Sequence, residues 1–313
     1  MADKKATREA LGATLVEMVA EGRDDIVVLD ADLAKATTTV KFAAAYPERF
    51  FDVGIAEQNL IGTAAGLAAA GRTAFASTFA VFATGRAYDQ IRNSVCYANL
   101  SVKIAATHAG VTVGPDGGSH QMVEDIALMR VLPNMRVLVP ADIVSAKAAL
   151  RLAASTPGPF YIRLGRPAVS VLYADDATFE LGRAIVLREG SDVTIAACGH
   201  TVEQALAAAD ELATAGVSAE VIDVFSIKPL DSATLLASAA KTGAVVTCEE
   251  HSVIGGLGEA VAALLSENAP APLERVGVKD VFGTSGEAPE LMAYFGLAAA
   301  DIAAAAGRAI ARK

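Results

Sequence analysis

The chain has 313 residues, enough for two domains of ordinary size, and 53% of them are hydrophobic, many being alanine. Its formal net charge of −10 argues against a nucleic-acid or anionic-membrane surface, although it leaves room for local basic sites. No uninterrupted apolar run approaches a membrane span and no apolar stretch follows the N-terminal lysines, so the sequence predicts a cytoplasmic protein. Cys96, Cys198 and Cys248, odd in number and widely spaced, read as buried thiols in a reducing compartment. A chain this rich in Ala and Gly further predicts burial in an oligomer.

Helix and strand alternate along the chain. An amphipathic helix over Arg8–Glu21 precedes the apolar run "IVVLDAD". "FFDVG" reads as a strand and "AEQNLIGTAAGLAAAG" as a helix ending at Gly71. "TAFASTF" is the next strand, "GRAYDQIRNSVCYAN" the next helix, and "VKIAATHAG" a strand that opens into a Gly-rich loop through Ser119. "QMVEDIALMRVLP" is helical as far as Pro133. "MRVLVPA", a helix over Asp142–Ala154 and "PFYIRLG" close the first half. Continuous β-branched runs between helices predict a parallel sheet covered on both faces. The mixed stretch from Arg166 to Asp192 reads as a linker with a short strand or two. The alternation then restarts at "DVTIAACG" and continues through helices at Thr201–Ala215, Asp231–Lys241 and Gly258–Asn268. The expected fold is α/β with two doubly wound domains, at 1–168 and 191–313, joined by a linker at 169–190.

In such sheets ligands bind beyond the carboxyl ends of the strands, and the chemistry-bearing residues fall there. Asp32 ends "VVLDAD". Glu57 sits in "DVGIAEQNLIG" among small and apolar neighbours. It is either a first-turn acid complementing a helix dipole or an acid that meets a ligand. Phe79 and Phe82, three apart, are core residues or an aromatic face for a flat heterocycle. His108 and His120 bracket the loop "HAGVTVGPDGGSHQ", which also carries Asp116. Its four glycines make a flexible, close-approach surface, yet it matches neither the P-loop nor the dinucleotide fingerprint. Arg8 and Arg163 are surface charges or an anion clamp. In the second half Cys198 with His200, and Cys248 with His251, form a conceivable zinc set, but their spacings match no common motif.

The ordered combination of "GIAEQN", "STF" and "DGGSHQ" resembles the pyrimidine-binding domain of transketolases, and "EEHSVIGGLGEAVA" resembles their C-terminal domain. The resemblance covers nearly the whole chain. It implies that Glu57 hydrogen-bonds the aminopyrimidine nitrogen of thiamine diphosphate, that Phe79 and Phe82 hold the ring, and that Asp32 lies near the cofactor cleft. His108 and His120 would face the substrate carbonyl and hydroxyls, Asp116 would recognise a sugar hydroxyl, and Arg8 and Arg163 would bind the sugar phosphate. The family's second pocket aromatic is often followed, three residues on, by a tyrosine. Here that position is Gly85, with Tyr88 or a partner residue as its replacement.

The family's diphosphate-binding Gly-Asp-Gly…Asn motif does not occur in the sequence. The resemblance is therefore to the C-terminal subunit of a split transketolase. The implied partner is an N-terminal subunit that binds the diphosphate and Mg²⁺ (or Ca²⁺), in an α2β2 heterotetramer. The activity implied is transfer of a two-carbon ketol unit from a ketose phosphate to an aldose phosphate. Small residues Gly62, Ala65, Gly66 and Ala69 would let their helix approach another, or simply pack it on the sheet. Rival readings are the β subunit of a 2-oxoacid dehydrogenase, a deoxyxylulose phosphate synthase-like enzyme and a non-catalytic interaction subunit.

Overall fold

A computed structural model describes residues 3–313. The chain divides into two compact units: the first runs to Ala109 and resumes over Leu128–Glu180, and the second holds Gly110–Ala127 and Leu181–Lys313.

The first unit begins with β1 (Lys4–Ala6) and α1 (Ala10–Ala20), followed by β2 (Ile26–Asp30), α2 (Ala34–Thr37), α3 (Val40–Ala45) and β3 (Phe50–Asp52). Next come α4 (Glu57–Ala69), β4 (Thr73–Ser77), α5 (Tyr88–Gln90) and β5 (Val102–Ala106), then α6 (Asp125–Arg130), whose first three residues belong to the second unit, and β6 (Arg136–Leu138), α7 (Ile143–Ser155), β7 (Phe160–Arg163) and β8 (Ala168–Ser170). Strand order within this unit reads β6-β7-β5-β4-β2-β3, every pair parallel. β2, β4 and β5 are buried along their whole length, which is why they read as unbroken apolar runs. From β2 the chain moves outward to β3 and then crosses back to β4 on the other side. The carboxyl ends of β2 and β4 thus form the switch point of the sheet, where the crossovers part and leave a crevice.

Local chemistry fixes the frame. Asp142 caps α7 by accepting from the Ser145 N–H at 2.8 Å, while the Ser145 hydroxyl accepts from the Asp142 N–H at 2.9 Å. The other Asp142 oxygen accepts from the N–H groups of Leu172 and Tyr173, so the segment leaving β8 is tied back to the first unit. β8 itself pairs antiparallel with β1.

The second unit contains β9 (Ile185–Arg188), β10 (Val193–Ala197), α8 (Thr201–Thr214), β11 (Ala219–Asp223), β12 (Ser226–Lys228) and α9 (Ser232–Thr242), then β13 (Val245–Ser252), α10 (Leu257–Asn268), β14 (Leu273–Val278), α11 (Ala288–Tyr294) and α12 (Ala299–Ile310). Its sheet runs β14-β13-β10-β11-β9, parallel except for the edge strand β9. Together the two units give the α/β, doubly wound architecture expected from the alternation of elements. Residues 288–310 have the length and apolarity of a membrane-crossing helix. They form two helices of 7 and 12 residues, turned at Gly296 with φ 70°. At 1.5 Å per residue neither crosses a hydrocarbon core of about 30 Å.

Three elements differ from the sequence expectation. "GRAYDQIRNSVCYAN" is not one α-helix: Phe82–Arg86 and Ile91–Cys96 are wide π-helical turns flanking the short α5. Gly85 weakens α-helix propensity there, and the Thr84 hydroxyl bonds back to the Ala80 carbonyl at 2.8 Å. The helix expected from Gln121 starts only at Asp125, because Met122 is held in an antiparallel bridge with Gly110. "SAEVIDVFSI" is two strands, β11 and β12, rather than one.

Lys103, at the start of β5, is fully buried and donates to the carbonyls of Thr156 (2.8 Å) and Gly158 (2.6 Å). Burial, then the nearby Arg136 and Arg23 charges, lower its pKa to about 7 from 10.5. Between those two values the unfolded chain binds a proton that the folded chain does not, so this residue makes stability rise with pH over that window. The gain is at most about 1.4 kcal/mol per pH unit. Melting curves of the wild type and Lys103→Met should therefore change in relative stability from pH 7 to 10, with the wild type gaining. Parallel curves across that range would contradict the assignment.

Candidate functional site

The site in the first unit is built at the switch point. Asp52, the last residue of β3, accepts from the N–H groups of Gly54 (2.9 Å) and Asp32 (3.0 Å), which joins the turns after β2 and β3. Gly54 turns with φ 71°, which a Cβ would strain, and the Ala56 N–H bonds the Gly54 carbonyl at 2.7 Å. That tight turn delivers Glu57 as the first residue of α4. Glu57 is 2% exposed, and both its oxygens accept from one nitrogen, Nη1 of Arg86, at 2.8 Å each. The Arg86 side chain is 50% exposed and its guanidinium carbon lies 4.7 Å from the centre of the Phe82 ring. The acid thus opens a helix, as its first-turn position allowed, and is paired by a side chain of the same unit.

Phe82 stacks on Phe79 with ring centres 5.9 Å apart, and Phe79 stacks on the His108 imidazole at 3.8 Å. The ladder between β4 and β5 holds this row in place. The Thr107 N–H bonds the Thr78 carbonyl, and the Ala80 N–H bonds the Thr107 carbonyl at 2.7 Å. His108 has φ 56°, in the left-handed region where a side chain other than glycine costs energy, and is 3% exposed. Its Nδ1 lies 2.9 Å from the Thr107 hydroxyl. Glu57, Arg86, Phe82, Phe79 and His108 therefore form one continuous row: an acid, a cation, two aromatic faces and an imidazole.

Asp32 also has a positive φ, 61°, and is exposed at the rim. The buried acid of its turn is Asp30, which accepts from the Thr37 and Thr39 hydroxyls and the Leu33 N–H. Burial pushes the Asp30 carboxyl above the ordinary range against these hydrogen bonds. Arg8 donates to the Ala36 carbonyl at 2.6 Å, and its carbonyl accepts from the Thr38 hydroxyl. Partial burial, with repulsion from Arg166, lowers the Arg8 pKa. Arg163 ends β7 opposite Ala106 and is only 6% exposed. The half-buried Arg8 guanidinium thus feels both the Arg166 charge and the opposing Glu9 charge.

Asp116 and His120 belong to the second unit, whose own geometry shapes their loop. Asp116 is exposed; His120 is partly exposed, with Nδ1 3.0 Å from the Ser119 hydroxyl. The glycines serve close approach rather than flexibility. A Cβ on Gly117 would lie 2.5 Å from the Ser285 hydroxyl, and one on Gly118 2.6 Å from the Gly283 carbonyl. Gln121 Nε2 donates to the carbonyls of Thr284, Val111 and Gly114, and the Thr112 N–H donates to Glu250 at 2.6 Å.

Arg86, Asp30, Arg166, Gln121 and Glu250 were not singled out by sequence reasoning. A signal existed for Arg86, which follows Phe82 by four residues, the helical spacing that brings a cation over a ring. The zinc set is not assembled: among the described residues no three potential ligands gather as a metal site needs. His251 uses both nitrogens, Nδ1 toward the Ser252 carbonyl and Nε2 toward the Ala127 N–H, and burial raises the Cys248 pKa. Of the four small residues singled out on α4, Gly62, Gly66 and Ala69 are exposed and Ala65 is buried; a Cβ on Gly62 or Gly66 would meet nothing within 4 Å.

Residues 3–171 match the family described as Transketolase, pyrimidine binding domain, and residues 182–302 match Transketolase, C-terminal domain. The chain belongs to the transketolase family and carries both of these domains. A solved structure described as "Split gene transketolase, inactive beta4 tetramer" is 54% identical, with 99% of each chain covered and a TM-score of 0.91. The 6-deoxy-6-sulfo-D-fructose transketolase subunit SqwH of Clostridium sp. (strain MSTE9) is 48% identical over 94% of this chain and 91% of its own. Transketolase-like protein 2 of Mus musculus is 41% identical over 97% of this chain, which spans 49% of that protein.

The loop geometry gives a test. Gly110 has φ 82°, and a Cβ there would collide with the Glu250 carboxylate. Gly110→Ala should lower stability by about 2–4 kcal/mol, from strain and the disturbed Glu250–Thr112 contact. Chemical denaturation checks this; a change below about 0.5 kcal/mol would contradict the packing described.

Proposed function

We propose that this chain is the C-terminal subunit of a split, thiamine diphosphate-dependent transketolase. It moves a two-carbon ketol unit from a ketose phosphate to an aldose phosphate, and it turns over only with an N-terminal subunit. The observation that carries the reading is Glu57: a carboxylate removed from water and joined through Arg86 to two stacked aromatic rings, at the switch point of a parallel sheet. Such a site suits a flat ring with a nitrogen that shares a proton with the acid. The residues present fit the aminopyrimidine half of thiamine diphosphate. When bound, that coenzyme supplies the electron sink for cleaving the carbon–carbon bond next to a ketone.

In this reading Glu57 holds a hydrogen bond to the ring nitrogen, and Phe79 and Phe82 hold the ring plane. His108 and His120 donate hydrogen bonds to the substrate carbonyl and hydroxyl oxygens and exchange protons with them. Asp116 accepts from a sugar hydroxyl. Asp32 lies at the rim of the coenzyme site. Arg8 and Arg163, joined by Arg166, bind the terminal anion. The diphosphate and its Mg²⁺ (or Ca²⁺) fall to the N-terminal subunit in an α2β2 heterotetramer. The exposed Gly62, Gly66 and Ala69 face of α4 suits contact with another helix.

The 54% identical structure is an inactive assembly of β chains, which supports dependence on a different partner. The 48% identical relative is named for a sulfosugar, and the planar guanidinium fork that pairs with a phosphate can also pair with the oxygens of a sulfonate. The donor is therefore a ketose ending in a phosphate or sulfonate.

In the reconstituted complex Glu57→Ala should lower kcat by about 10²- to 10⁴-fold while size-exclusion chromatography shows assembly unchanged. Robust ketol transfer by the isolated wild-type chain would overturn the split-subunit reading. Arg8→Met or Arg166→Met should raise KM for phosphorylated sugars by about tenfold or more. The loss should be larger than for the unphosphorylated counterparts; equal losses for both would remove these residues from the anion site.

A further inference from the structure

We infer that Arg86 is a placeholder for the aminopyrimidine ring: its guanidinium occupies the acid and the aromatic face that the coenzyme takes over. The inference rests on the reading of Glu57 above. It starts from a physical problem. A carboxylate 2% exposed is costly without a partner, so a chain that folds before its coenzyme arrives needs one of its own. Arg86 supplies it, with Nη1 2.8 Å from both oxygens of Glu57.

The shape of the substitute is informative. A guanidinium is planar, carries N–H donors at its edge and presents a π face. Arg86 turns an N–H edge to Glu57 and lies 4.7 Å from the centre of the Phe82 ring. An aminopyrimidine has the same pairing of features, an amidine-like nitrogen edge and a flat face. The two groups therefore compete for the same partners. With Nη1 bridging both carboxylate oxygens, a ring nitrogen reaches the acid only as Arg86 lets go.

The surroundings allow that exchange. The Arg86 side chain is half-exposed, so a released guanidinium regains water. It sits on the wide π-helical turn Phe82–Arg86, beside the exposed Gly85, where a Cβ would meet nothing within 4 Å. The position that carries a pocket tyrosine in many transketolases is thus open here, and its neighbour is a long, half-solvated cation. Arg86 is a positioning residue: it keeps the Glu57 carboxyl paired and oriented until the coenzyme displaces it, and the need to release it lowers apparent coenzyme affinity.

The test is calorimetric titration of thiamine diphosphate, with Mg²⁺ present, into the complex of the full chain with its N-terminal subunit. Wild type, Arg86→Gln, Arg86→Lys and Glu57→Gln are compared, together with melting temperatures of each coenzyme-free chain. A placeholder predicts that Arg86→Gln binds coenzyme about fivefold tighter while its coenzyme-free chain melts lower. Arg86→Lys, which keeps charge without the plane, should fall between them in affinity and remains informative if the glutamine variant misfolds. Unchanged or weaker coenzyme binding in the Arg86 variants overturns the placeholder. Glu57→Gln separates the two ideas: if it leaves coenzyme affinity intact, the reading of Glu57 fails; if it weakens binding and Arg86→Gln does not tighten it, only the placeholder fails.

Discussion

A carboxylate taken out of water organises the first unit. Glu57 is ionisable and nearly inaccessible, and a lone buried charge costs several kcal/mol unless something answers it. Three features meet that demand. The Asp52–Gly54 turn aims the acid inward, the positive end of α4 lies beside it, and Arg86 pairs with it. The aromatic row from Phe82 to His108 continues from the same cation. The parallel sheet supplies the crevice in which all of this converges.

The two units contribute differently. The first carries the acid, the aromatic faces, His108 and the arginines on strand ends and helix starts, which are rigid supports. The second carries Asp116 and His120 on a loop fastened by Gln121 and Glu250 and pressed against residues 283–286. A loop that looks mobile by its glycine content is in fact held by backbone contacts only glycine allows. The shape of this loop is thus set within the second unit, by the Gln121 bond to the Thr284 carbonyl and the Thr112 bond to Glu250.

Much of the architecture was legible in sequence. The unbroken runs "IVVLD", "TAFAS" and "VKIAA" became strands buried on both faces, whereas "FFDVG", read as one strand, stops at Asp52 and turns at Gly54 before Glu57. Single-residue geometry was not legible. "VVLDAD" offers two acids, and periodicity does not say that Asp30 is the buried one and Asp32 the rim residue. "GRAYDQIRN" reads as a regular helix because its apolar period is helical, while hydroxyl back-bonding and Gly85 widen it into π turns. The Glu57–Arg86 pair joins residues 29 apart in sequence, and only the packing of α4 against the following turns brings them together. The repulsion between Arg8 and Arg166 is likewise a product of the fold, since the two lie at opposite ends of the first unit's sequence.

The most direct measurement is the crystal structure of this chain assembled with its N-terminal subunit and thiamine diphosphate. The account predicts a Glu57 oxygen within about 3 Å of an aminopyrimidine ring nitrogen, with the Arg86 guanidinium turned away from both. A complex in which the Glu57–Arg86 pair persists and the pyrimidine ring lies elsewhere would contradict it.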